Sequence, residues 1–359
     1  MDKKALAQKL NDMSGSLCMF ADGFIDEQWS LVGKRASYDD VTLIEKMTAF
    51  ADRIKAVGTG GMGIELIKKR MAFGGFTANI GFAAARLGID TTMTGIFGEG
   101  QVSPVFAQVQ EVCKMITLGA SSITHALEFD DGKILMTDME SVLGVRWSKI
   151  VDAVGMDELT RLLTESDIIG VGYWSLMPAF DEIVENICDI LRDDSKNRRF
   201  FFDFADISKR DEASLVRTLN LLKDNNGKIP MTLSVNEHEG SSIFKLYGEN
   251  FCDAGIRMDE ITEKVRSKLG LDELVVHTPH FASAANKDAT PAIVPQTYVE
   301  KPVRTAGAGD TFNGGYIAGL LSAMPTDERL HTANSAVTYF LKNGIPPSKD
   351  ELTKVFEQT

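Results

Sequence analysis

Thr305-Ala306-Gly307-Ala308-Gly309-Asp310-Thr311-Phe312-Asn313-Gly314-Gly315 runs from a glycine-rich turn straight into an apolar-periodic segment, with Phe312, Tyr316, Ile317, Leu320, Leu321 and Met324 at helical spacing. A helix that opens on such a turn aims several unpaired backbone N–H groups and its positive dipole end at one spot. That spot suits an anion. An aspartate fixed beside it can take the proton of a hydroxyl attacking a phosphoryl group, while the N–H groups take up charge on the transferred oxygens. Read alone, an aspartate after glycine is also a routine helix-start residue. The rest of the chain has to decide between the two.

With 359 residues, 44% hydrophobic and 25% charged, the chain is long enough for one large α/β domain and a smaller appendage. Its formal charge of −13 argues against a nucleic-acid partner, which would be neutralised by clustered Lys and Arg. An acidic chain that handles phosphorylated ligands must offset repulsion locally, and a metal ion beside a helix N-terminus does so. Cys18, Cys113, Cys188 and Cys252 are widely spaced and contain no C-x-x-C pair, so neither a zinc site nor a disulfide framework is indicated. No apolar run reaches the roughly 18 residues of a membrane span. The apolar stretch Ser16 to Ala21 is too short for a secretion signal, and a cytoplasmic protein is expected.

From about residue 75 onward buried-strand patterns alternate with helical ones. Leu17 to Phe20, Thr91 to Phe97, Asp167 to Tyr173, Arg199 to Phe204, Met231 to Val235 and Leu274 to Thr278 read as strands. Helices are expected near 76–87, 103–113, 178–192, 210–224, 257–269, 310–323 and 326–342. Such alternation predicts a mostly parallel sheet covered on both faces. Residues 26–73 break the rhythm: an amphipathic stretch from Tyr38 to Val57 leads through a glycine cluster to a strand candidate at Ile64 to Met71. Ile123 to Met139 reads as two short strands around the turn Asp130-Asp131-Gly132-Lys133.

Two more motifs lie upstream of the first. Gly74-Gly75-Phe76-Thr77-Ala78-Asn79 opens an alanine-rich helix ending Ala85-Arg86-Leu87-Gly88, followed by Gly95-Ile96-Phe97-Gly98. Paired glycines let backbone approach a polyhydroxylated ligand, and Asn79 offers a donor and an acceptor to hydroxyls. Asn236-Glu237-His238-Glu239 is an N-x-x-E at the end of an apolar strand, a pattern that is also a helix capping box. In this order the three motifs resemble the signatures of the ribokinase-like (PfkB) carbohydrate kinase family.

The resemblance implies a three-layer α/β/α sandwich with a mostly parallel sheet, built from 1–25, 75–122 and 140–359, and a small β lid from 26–74 and 123–139. It implies a kinase that passes the terminal phosphoryl of a nucleotide, ATP or ADP, to a primary hydroxyl of a sugar or nucleoside. Asp310 would be the base, and the N–H groups of Gly307, Ala308 and Gly309 would hold the transferred phosphoryl. Asp26, with Asp22 as second choice, would grip sugar hydroxyls together with Gly74, Gly75 and Asn79. Asn236 and Glu239 would orient Mg2+ through water, and Thr278 and Asn334 would meet the nucleotide.

The chain also departs from the family pattern. Where T-x-G-x-x-G is common it has Thr278-Pro279-His280-Phe281-Ala282-Ser283, lacking both glycines, which leaves open an ADP-dependent kinase or a non-catalytic binding relative. Arg304 stands where Asp, Asn, Ser or Lys is expected; an aspartate there helps hold a monovalent cation in some members, so K+ activation is not implied, and Arg304 could instead serve a phosphate. Tyr173 and Trp174 read as core packing or as a platform for a sugar or base. The stretch 38–57 exceeds what a minimal lid needs and is a candidate interface for a homodimer.

Overall fold

The structure, a computed structural model, describes residues 2–358. Fourteen strands follow one another as β1 (Ser16–Ala21), β2 (Phe24–Arg35), β3 (Val41–Leu43), β4 (Leu66–Gly74), β5 (Asp90–Gly95), β6 (Lys114–Thr117), β7 (Ser122–Phe129), β8 (Gly132–Thr137), β9 (Ile168–Gly172), β10 (Arg199–Asp203), β11 (Met231–Asn236), β12 (Glu273–His277), β13 (Phe281–Asn286) and β14 (Ala292–Pro295). Nine of them form one sheet in the order β6-β5-β1-β9-β10-β11-β12-β13-β14. It is parallel from β6 to β12. The last two strands add antiparallel to its edge.

Side-chain alternation along each strand divides the core in two. Cys18, Phe20, Phe200 and Phe202 face the helices Met156–Glu165, Phe180–Ile190, Glu212–Asn226 and Met258–Leu269. Leu17, Met19 and Phe201 face Phe76–Arg86, Ala308–Leu321 and Thr326–Asn343. Continuously apolar strands follow from burial on both faces. This is the expected α/β/α sandwich. The chain leaves β1 towards β5 and β6 on one side and later enters β9 on the other, so the crevice between the carboxyl ends of β1 and β9 is where the connections diverge.

A second sheet is made by β2, β3, β4, β7 and β8. Its spine is β2, which pairs antiparallel with β4 and parallel with β7. The helix Met47–Val57 stacks Phe50 on Phe129 with centroids 5.9 Å apart, over a small core of Leu31, Ile44 and Leu127.

Several elements differ from the sequence expectation. The amphipathic stretch from Tyr38 is helical only from Met47, because Val41–Leu43 pairs with the far end of β2. The helix expected at 103–113 shrinks to a 3-10 turn at Pro104–Phe106 and one turn at Ala107–Gln110, after which Lys114–Thr117 joins the sheet edge. Residues 281–286 and 292–295 turn back as strands rather than forming a glycine-type nucleotide loop.

Candidate active site

At the end of β1 Asp22 is fully buried and accepts the N–H groups of Phe76 (2.9 Å) and Thr77 (2.8 Å). Those are orphan donors of the helix Phe76–Arg86, whose own N-cap, Gly75, has no side chain to offer. Burial pushes the Asp22 carboxyl up to about 6 in spite of these bonds. The second-choice sugar ligand is thus committed to the helix start. Asp26, four residues on in β2, lines an open cavity of about 540 Å3 beneath the second sheet, beside Thr124, Tyr173 and Arg304.

The glycine pair serves both carboxylates. A Cβ on Gly74 would lie 2.8 Å from Asp26 Oδ2, and one on Gly75 would lie 2.8 Å from Asp22 Oδ2. Gly75 also has φ +94°, which side-chain-bearing residues rarely adopt. The sequence reading gave this close approach to a ligand; the structure gives it to two aspartates.

Gly307, at φ +92°, turns the chain into the helix Ala308–Leu321. Ala308 N–H closes that turn on the Thr305 carbonyl at 3.1 Å, so one of the three expected donors already has a partner. Asp310 follows in the first turn, 7% exposed. The Tyr173 hydroxyl, just past β9, donates to its Oδ1 at 2.9 Å, and the Asn79 amide donates to its Oδ2 at 2.9 Å. Burial, then the negative charge of Asp203, pushes the Asp310 carboxyl up to about 8. Asn79, expected on sugar hydroxyls, is here a support of Asp310. Each carboxylate oxygen keeps a second acceptor position for an incoming hydroxyl. Trp174 is core, its Nε1 donating to Thr218 at 2.7 Å, whereas the Tyr173 ring packs on Phe76 and its hydroxyl takes up a role its sequence did not suggest, support of Asp310.

Asp203 closes β10 and holds Asp310's helix through Asn313, whose Nδ2 donates to it at 2.8 Å while its Oδ1 accepts from Ser234 at 2.6 Å. Asn236 and Glu239 form the full capping box: Asn236 N–H and Nδ2 donate to the Glu239 carboxylate at 2.9 and 2.7 Å. Glu239 is 2% exposed, and burial and Asp203 hold its carboxyl far above the ordinary range; burial likewise raises Asp203. Buried oxygen donors with uncompensated negative charge fit a hard divalent cation such as Mg2+. Among the described residues no group of three or more His, Cys, Asp or Glu is arranged to hold a metal directly.

Thr278 Oγ1 and Asn334 Nδ2 are spent on backbone. Thr278 Oγ1 accepts from His280 and Phe281 N–H in the β12–β13 turn, and Asn334 Nδ2 donates to the Pro295 carbonyl at 3.2 Å. His277, half-buried, with burial pushing its pKa down to about 4, sits against the anion turn: a Cβ on Gly309 would be 3.1 Å from its Cε1.

A buried carboxylate at a helix start beside a polar cavity, carried at the switch point of a ribokinase-like sandwich, defines a phosphotransferase with an alcohol acceptor, a sugar kinase. The chain matches the model of the prokaryotic ketohexokinase family over residues 3–359, and it belongs to that family. It is 26% identical over 338 residues to a ketohexokinase of Haloferax volcanii, covering 92% of this chain and 88% of that one. In fold it is similar to Arabidopsis thaliana ribokinase complexed with ribose and ATP (TM-score 0.67, 15% identity, 96% and 99% of the two chains). It is likewise similar to the Cryptococcus neoformans ribokinase in complex with ADP (TM-score 0.62, 15% identity, 96% and 99% of the two chains). No helix among the described residues is long and apolar enough to cross a membrane.

Proposed function

We propose that this kinase transfers the terminal phosphoryl of ATP to a primary hydroxyl of a ketose-type sugar held beneath the second sheet, which acts as a lid. The observation that carries the reading is Asp310: buried, at the anion turn, with both oxygens held by Tyr173 and Asn79. Asp310 takes the proton of the sugar hydroxyl as its oxygen attacks the phosphorus, and the bond from that phosphorus to the bridging oxygen of ADP breaks. Free N–H groups at the helix start take up charge on the transferred oxygens. Asp26 positions the sugar, because a carboxylate accepts two hydroxyls at once. Asn236, Glu239 and Asp203 would hold Mg2+ through water, where it would supply charge neutralisation of the polyphosphate.

The named relatives support ATP and a ketohexose as reactants. Four free cysteines suit the reducing cytoplasm. Exposed Ile54 and Met136 on the lid support pairing of two copies there, which the hydrodynamic mass would report. The direct test is ADP release from ATP and Mg2+ with a panel of ketohexoses, neutral and phosphorylated. Turnover should fall at least a hundredfold in Asp310→Asn with sugar affinity retained. Equal turnover in that variant refutes the assignment.

A further inference from the structure

Four cations, Arg70, Lys133, Lys209 and Arg304, line the cavity that holds Asp26, against two carboxylates, Asp26 and Glu128. In a chain of net charge −13 this is a local reversal of sign. Among the described residues none of the four makes an ion pair, although eighteen such pairs are formed elsewhere. Arg304 is half-buried, with its guanidinium over the face of Phe340, 5.8 Å from the ring centroid. Burial disfavours its charge and the Arg70 guanidinium disfavours it further, more than the charges of Asp26 and Asp310 offset. Two guanidinium groups lining one cavity are stabilised by an anion between them.

A neutral sugar does not supply that anion. Its hydroxyls are served by Asp26, Gln28, Thr124 and Thr137 in the same cavity. The nucleotide phosphates do not account for the whole set either. Lys133 stands on β8 of the lid and acts on Asp26, at the sugar end, away from Asn236 and Glu239.

We propose that the preferred acceptor is an anionic sugar, which presents a phosphate ester or a carboxylate to Arg70, Arg304 and Lys133 while its free primary hydroxyl faces Asp310. The inference rests on the kinase reading above and narrows its substrate class. A phosphorylated ketohexose meets both requirements, and a keto sugar acid is the carboxylate counterpart.

The test has a binding arm and a turnover arm. Thermal shifts without nucleotide compare fructose, fructose 1-phosphate, fructose 6-phosphate and 2-keto-3-deoxygluconate. Initial rates with ATP and Mg2+ follow for the same four. An anionic sugar should bind at least tenfold tighter than fructose and lead it in kcat/KM, with the phosphate and acid arms telling the two anions apart. Arg70→Gln and Lys133→Gln, both at exposed positions, should each raise KM for that sugar at least tenfold and leave KM for ATP unchanged. Fructose preferred over every anionic sugar overturns the proposal and leaves the kinase reading standing. A rise in KM for ATP alone in the two variants also overturns it. An anionic sugar that binds but is never phosphorylated also overturns the proposal, and it refutes the kinase reading as well where fructose is not phosphorylated either.

Discussion

Replacing Tyr173 by Phe removes one oxygen and one hydrogen bond, the 2.9 Å contact to Asp310 Oδ1, and leaves the buried ring in place against Phe76. A hydrogen bond to an ionised group contributes about 1.5–3 kcal/mol. One pKa unit corresponds to about 1.4 kcal/mol, so loss of the bond should raise the Asp310 pKa by about one to two units. In the wild type that carboxyl lies at about 8, which leaves about one molecule in ten with an ionised base at pH 7. In the variant the fraction falls to about one in a hundred or below. The profile of kcat/KM against pH should therefore keep its shape while its rising limb moves up by one to two units. Activity should drop about tenfold or more at pH 7 and recover to between about a quarter and three quarters of its plateau at pH 9.5. Steady-state assays across pH 5.5–10, with protein integrity checked by circular dichroism, measure this. A limb that stays in place while the plateau collapses would show that Tyr173 acts on something other than the base, and the argument from its hydrogen bond would be lost.

Asp310→Asn should stabilise the free protein. A carboxyl raised from 3.8 to about 8 on folding favours the fold below pH 4 and loses that contribution as pH rises through 8, so the variant should gain on the order of a few kcal/mol at pH 8 and little at pH 4, read from urea midpoints. Gly75→Ala sets a Cβ 2.8 Å from Asp22 Oδ2 at φ +94° and should cost about 2–4 kcal/mol from backbone strain and disturbed helix-start bonds; a loss below 0.5 kcal/mol would mean that the close approach is not real. Mg2+ should raise the melting temperature more at pH 8 than at pH 6, because Glu239 and Asp203 are held above the ordinary carboxylate range and must ionise to meet it; an equal rise at both pH values would place the ion elsewhere. Asp26→Ala should raise KM for the sugar strongly with KM for ATP unchanged.

The layered fold was legible because the central parallel strands are buried on both faces and most covering helices show one apolar stripe, while Phe76–Arg86 and Ala308–Leu321 are buried nearly all round. Phe200, Phe201 and Phe202 announce a strand whichever way they point. The second sheet was harder, since β2 is half exposed and mixes Glu27, Gln28 and Ser30 with Trp29 and Leu31, a pattern fixed by its partners β4 and β7 and not by its own composition. β13 and β14 were obscured for another reason. Phe281-Ala282-Ser283 falls where the family resemblance calls for a phosphate loop, and that expectation masked an ordinary edge hairpin.

The site divides along the same line. Asp310 and the glycine pair are readable because their chemistry is local: a helix start, a positive φ, a missing Cβ. Tyr173, Asp203 and Asn313 carried no local signal. Tyr173 lies 137 residues from Asp310 and Asn79 lies 231 from it, and only the divergence of connections at β1 and β9 brings the three together. The same topology explains the raised pKa. Strand ends at a switch point deliver side chains to one small volume, and here β1 delivers Asp22, β10 delivers Asp203, and the helix after the anion turn delivers Asp310. Burial raises all three carboxyls, and the negative charges of Asp203 and Asp22 raise Asp310 further. A cation brought by the substrates would lower all three together, so the base would become competent when the nucleotide and its metal are in place and stay largely protonated when they are not.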